Sequence, residues 1–145
     1  MGYENVFDEI VEGIKKHEGF RGYQYRDHLG FETVGYGTKM PLTEEEAELL
    51  LRHRLEKMVQ ELQLAKPFVD SLPLTAKKII LDMTYQLGVP RLLGFRKMWA
   101  ALERGDFKNA AVEMRDSAWN QQTPARSNTL ASIMETVSYN GVHYA

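Results

Sequence analysis

The sequence predicts a mostly helical α+β fold: a small antiparallel β-ribbon lobe near the N-terminus and a larger helical lobe, joined by a long helix. Three observations carry this. Apolar residues recur at spacings of three and four over most of the chain. Residues 18–37, EGFRGYQYRDHLGFETVGYG, break that pattern with five of the eleven glycines and a run of strand formers. Between this stretch and the later helices, a capped apolar repeat extends from residue 43 to 64.

Taken in order, Val6, Phe7, Ile10, Val11 and Ile14 make residues 4–18 an amphipathic helix, and Gly19 stands where a C′ glycine would end it. Tyr23, Tyr25, Phe31, Thr33, Val34 and Tyr36 flank the turn-like Asp27-His28-Leu29-Gly30, which predicts the ribbon. Thr43 with Glu46 three positions on is a capping box, and it accounts for the acidic run Glu44-Glu45-Glu46. Ala47, Leu51, Leu55, Met58 and Leu62 follow on one helical face. Pro67 and Pro73 punctuate the next segment, and Thr75 opens a helix to about Leu87 that Gly88 and Pro90 close. Shorter helical patterns cover 95–104, 106–117 and 125–139, separated by Gly105 and by Gln121-Gln122-Thr123-Pro124. The expected organisation is one domain over 1–145, with the β-containing lobe at about 15–60 and the helical lobe at about 65–145 plus the N-terminal helix. Two lobes would enclose a cleft, where ligand sites preferentially form. Trp99, Trp119 and the seven methionines are assigned to the core.

Composition excludes several functional classes. A net charge of −2 and a pI near 6.1 argue against nucleic acid as a partner, since phosphate binding wants a basic face. There is no cysteine, hence neither a disulfide framework nor a thiolate metal site. His17, His28, His53 and His143 lack ligand spacing, and neither a phosphate-binding loop nor a nucleophile elbow is present, so no metal and no cofactor are expected. The first twenty residues carry five acids and no apolar run long enough for a signal or a membrane anchor.

Chemistry concentrates in the ribbon. Steps of 4, 3 and 4 from Phe7 lead through Val11 and Ile14 to Glu18, which places an acid on the inward helix face. Desolvation and the negative helix end would both raise its pKa, as a general acid requires. Asp27, in a turn, should be more solvated and stay ionised. Two carboxyls with divergent environments suit glycosidic bond cleavage, one protonating the leaving oxygen and the other serving as base or nucleophile. The Thr33 hydroxyl could help hold a water. Taken singly, a helix-terminal Glu is ordinarily a solvated surface acid, and an Asp in a turn ordinarily caps its own backbone.

Taken together, Glu18-x8-Asp27-x5-Thr33 resembles the catalytic pattern of the bacteriophage-type lysozymes, or endolysins, of glycoside hydrolase family 24. Thr33-Val34-Gly35-Tyr36-Gly37 is similar to that family's T-[IV]-G-x-G strand. Trp119 with Thr123-Pro124-Ala125-Arg126 is similar to its W-x4-T-P-x-R signature, and Tyr85-Gln86-Leu87-Gly88 to its aromatic-Gln/Asn-x-Gly segment. The resemblance spans residues 4–140. It implies a lysozyme-like two-lobed fold and a muramidase hydrolysing the β-1,4 bond between N-acetylmuramic acid and N-acetylglucosamine of peptidoglycan. It further implies Glu18 as general acid, Asp27 positioning or activating water with help from Thr33, and inversion at the anomeric carbon. Tyr85 and Gln86 would line the cleft, and Arg126 would pair with Glu18, lowering its pKa against the desolvation effect. This sequence departs from the pattern at Thr38, where the family commonly has histidine, and at Asp82, where asparagine is common; its net negative charge is also less expected for an enzyme acting on acidic walls.

Two alternatives stand beside hydrolysis. A lytic transglycosylase cuts the same bond without water and needs one acid, so Asp27 and Thr33 speak against it. A lysozyme-shaped module that binds wall or a protein partner without cleaving is opposed by the intact Glu18, Asp27 and Thr33. The protein is expected to act as a monomer, to bind no nucleic acid, and to accumulate in a host bacterial cytoplasm. It would then reach the wall through a holin-type lesion or by virion-borne or secretory delivery.

Overall fold

The structure is a computed structural model, and it describes residues 4–139. Its elements run α1 (Glu4–Glu18), β1 (Arg21–Arg26), β2 (Glu32–Gly35), β3 (Thr38–Lys39), α2 (Glu44–Ala65), a 3₁₀ turn (Pro67–Ser71), α3 (Leu74–Leu87), α4 (Val89–Leu93), α5 (Arg96–Glu103), α6 (Phe107–Arg115), α7 (Ala118–Gln122) and α8 (Pro124–Met134). The protein is thus α+β and mostly helical, as its sequence predicts. It forms two compact units that divide between Leu49 and Leu50, inside α2.

In the first unit, α1 ends where Gly19 turns to φ +70° and donates its amide to the Lys15 carbonyl at 2.9 Å. The sheet is antiparallel in the order β1-β2-β3. Its register places Tyr25 opposite Thr33 and Thr33 opposite Lys39, so these three side chains form one row across the strands. Arg26 faces Glu32 in the next row and binds it through Nε at 2.9 Å. The α1 stripe differs from expectation: Val6, Phe7, Ile10, Val11 and Ile14 are 43–64% exposed. Fewer than fifty residues and three short strands supply too little surface to bury an apolar helix face within this unit.

The capping box at the start of α2 forms reciprocally, with Glu46 N donating to Thr43 Oγ1 at 3.1 Å and Thr43 N to Glu46 Oε1 at 2.9 Å. Of the α2 apolar repeat, only Leu62 is buried.

The core lies in the second unit. Met83 and Ile80 of α3, Met98, Trp99 and Leu102 of α5, Phe107 and Met114 of α6, and Met134 of α8 fill it, with Ala101, Ala110, Ala111 and Ala131 allowing close helix approach. Each such large side chain contributes on the order of 1.5–3 kcal/mol by leaving water. The two tryptophans are core, as predicted, and their indole N–H groups are satisfied: Trp99 donates to the Leu92 carbonyl at 2.9 Å and Trp119 to Gln86 Oε1 at 3.0 Å. Four methionines (Met83, Met98, Met114 and Met134) are fully buried.

Two short helices depart from the predicted pattern. The sequence marks Pro90 and Pro124 as closing and separating signals, yet each stands in the first turn of a helix, α4 and α8. There the missing amide costs nothing and the fixed φ is already helical. The segment 118–122 forms α7, started by Ser117, whose hydroxyl accepts from Asn120 N at 3.1 Å. The last helix stops at Met134, short of the expected 139.

Candidate active site

The turn after β1 is built around one carboxylate. Asp27 Oδ1 accepts from the amides of Leu29 at 2.9 Å and Phe31 at 2.8 Å, while the Asp27 amide donates to the Phe31 carbonyl at 2.9 Å. That carbonyl also accepts from Thr33 Oγ1 at 2.7 Å. The main chain of Phe31 therefore ties Asp27 to Thr33. Oδ2 of Asp27 takes the ammonium of Lys39 from β3.

These contacts explain the electrostatics. The Lys39 ammonium first, then the Phe31 and Leu29 amides, hold the Asp27 carboxyl at about 2, from an ordinary 3.8, against an opposing effect of partial desolvation. Lys39 moves the other way: its bond to Asp27 raises it, opposed by desolvation, with smaller contributions from the charges of Asp27, Glu18 and Tyr25. Asp27 is ionised, as expected, but the reason differs. Its side chain is only 10% exposed, so the charge rests on three donors rather than on water.

Glu18 is exposed, so the inward, desolvated position predicted from the α1 stripe is not found. Its carboxyl instead lies against Gly37 in the β2–β3 turn. A Cβ at Gly37, which has φ +76°, would stand 2.7 Å from Glu18 Oε2 and 2.8 Å from its Cδ. Gly37 thus meets two demands, a left-handed backbone and a close approach by the acid. Glu18 at this turn and Asp27 in the β1–β2 turn are both in electrostatic reach of Lys39. Thr33 of β2 is fully buried, its hydroxyl proton engaged by the Phe31 carbonyl.

Tyr85, Gln86 and Arg126 belong to the second unit. Tyr85 and Arg126 line a pocket of about 330 Å³ with Leu51, Leu55, Lys78, Leu81 and Asp82. Arg126 binds Asp82, its Nε and Nη2 donating to Oδ1 at 2.9 and 2.5 Å. Gln86 bridges α3 to α7: its carbonyl oxygen accepts from Trp119, and its amide donates to Thr123 Oγ1 at 3.4 Å. Lys39 is the residue that sequence reasoning missed. A lone lysine on a two-residue strand carries no pattern; only the register opposite Thr33 reveals it.

A family model for phage lysozyme matches residues 15–134. The chain belongs to the phage lysozyme family. The match takes in Glu18, the whole ribbon and all of the helices from α2 to α8. Among curated proteins, probable T4-type lysozyme 1 of Dictyostelium discoideum is 31% identical over 167 aligned positions, which cover 93% of this chain and 98% of that protein. Probable T4-type lysozyme 2 of the same organism is 34% identical over 67 positions, 46% of this chain and 39% of that protein. This phage lysozyme family member is a glycoside hydrolase of the T4-type lysozyme class, and its three-stranded sheet and helical unit agree with the lysozyme fold. Membership implies a peptidoglycan substrate. Among the described residues, no helix is long and apolar enough to cross a membrane, and no cluster of three or more His, Asp or Glu side chains gathers as a metal site would.

Proposed function

We propose that this enzyme hydrolyses the β-1,4 bond between N-acetylmuramic acid and N-acetylglucosamine by an inverting acid/base mechanism. Glu18 protonates the leaving oxygen. Asp27, ionised across the whole neutral range, takes the proton of the attacking water. Thr33 assists through the main chain of Phe31, whose N–H binds the Asp27 carboxylate and whose carbonyl accepts from the Thr33 hydroxyl. The observation that carries the reading is that one small sheet holds both acids: Glu18 lies against Gly37 in the β2–β3 turn, Asp27 is clamped in the β1–β2 turn by Leu29, Phe31 and Lys39, and Lys39 feels the charge of each.

The test uses purified peptidoglycan and mass spectrometry of the soluble fragments. Reducing ends are expected. Anhydro ends would mean a transglycosylase, and no release would mean a binding module. Glu18→Gln should lower the rate at least about 10²-fold with little change in thermal stability. Full activity in that variant refutes the assignment of the acid.

A further inference from the structure

We propose that Lys39 is a positioning residue of this reaction: its ammonium fixes the Asp27 carboxylate in one orientation. The role rests on the hydrolytic reading above. A carboxylate offers about four lone-pair sites. On Asp27, the Leu29 and Phe31 amides occupy both sites of Oδ1, and Lys39 takes one of Oδ2. One Oδ2 site is left by these donors, and Lys39 selects which. That site is where a water about to lose its proton would be held.

The strand register explains how a single lysine reaches so far. Lys39 stands opposite Thr33, whose other neighbour is Tyr25, so the lysine stem crosses the row that ends near Asp27. It is 57% exposed, enough to leave its remaining donors in solvent. The titratable groups that act on Lys39 besides Asp27 are Glu18 from α1 and Tyr25 from β1, and His28 follows Asp27 in the turn. Of the sheet's other cations, Arg26 binds Glu32 and Arg21 lies over the Tyr25 ring, whereas Lys39 binds Asp27. Without it, Asp27 would lose the cation that favours its ionised form, while the amides of Leu29 and Phe31 would remain.

Lys39→Met and Lys39→Arg separate this role from a structural one. Carboxyl carbon NMR titration of Asp27 needs no substrate, and the pH profiles of kcat and KM on peptidoglycan report the reaction. In Lys39→Met the Asp27 midpoint should move from about 2 toward the ordinary 3.8. The acid limb of kcat should follow by on the order of one pH unit, and kcat at neutral pH should fall about 10-fold with KM within about twofold. Lys39→Arg keeps the charge and should restore the limb and most of kcat. A wild type that releases no fragments refutes the hydrolytic reading and this role with it. An active wild type whose Lys39→Met variant keeps its acid limb and kcat overturns the role of Lys39 alone, whatever the Asp27 titration does.

Discussion

Replacing Gly37 by alanine tests how closely Glu18 must be placed. The added Cβ would meet Glu18 Oε2 at 2.7 Å, whereas ordinary contact begins near 3.4 Å, so the carboxyl must retreat by about 0.7 Å. The retreating atoms are the free end of an exposed side chain, so this movement adds little to the stability cost. The backbone cost is separate: an L-residue in the left-handed region loses about 1–2 kcal/mol, partly offset by a stiffer unfolded chain. The net effect is about 1 kcal/mol, or a fall in Tm of roughly 2–6 °C for a chain of this size. Catalysis is less forgiving, because misplacement of a reacting group by about 1 Å can cost roughly 10²-fold. Gly35→Ala supplies the control. Gly35 has φ +71° but nothing within 4 Å of a built Cβ, so it bears the backbone cost without displacing an acid. Differential scanning calorimetry and a peptidoglycan release assay should show similar Tm losses and at least a tenfold activity gap, with Gly37→Ala the worse. Equal activity in the two variants would refute the idea that Gly37 is kept open for Glu18.

Two further outcomes follow from the contacts. The lowered Asp27 contributes stability that is fully present above its unfolded value near 3.8 and lost as pH falls from there through about 2. Glu32, Glu46 and Asp106 are shifted downward as well, by their hydrogen bonds to Gln24 and Arg26, to Thr43, and to Asn109 respectively. Urea midpoints should therefore drop between pH 5 and 2, and Asp27→Asn should flatten part of that drop; identical slopes would count against the clamp. Gln86→Leu should cost about 1–3 kcal/mol, because it strands the buried Trp119 N–H. Unchanged thermal stability in that variant would argue that Gln86 serves the substrate rather than the α3–α7 junction.

Local signals were the ones legible in the sequence. The Thr43–Glu46 box, the Gly19 stop and the 3.6-residue periodicities of α3, α5 and α6 each depend on neighbours within four positions, and each appears in the structure. The prolines misled because the same ring that ends a helix also starts one, and only the downstream contacts of Val89, Leu92 and Ser127 decide which. At the site, Glu18, Asp27 and Thr33 were legible through their spacing. Their supports were not. Lys39 reaches Asp27 across twelve positions, and the Arg126–Asp82 pair spans forty-four. Periodicity also misjudged α1, since an apolar stripe states what a helix could bury and not whether its unit has surface to cover it.

The main chain of Phe31 carries a last implication. Its N–H orients one acid-bearing side chain and its carbonyl holds the threonine hydroxyl, while its ring points outward and is 57% exposed. Indispensable main chain and dispensable side chain coincide at one position. Many amino acids could supply that main chain, but proline could not, because it brings no N–H. A survey that ranked positions by side-chain identity would pass over residue 31, although the geometry of both its neighbours in the site depends on it.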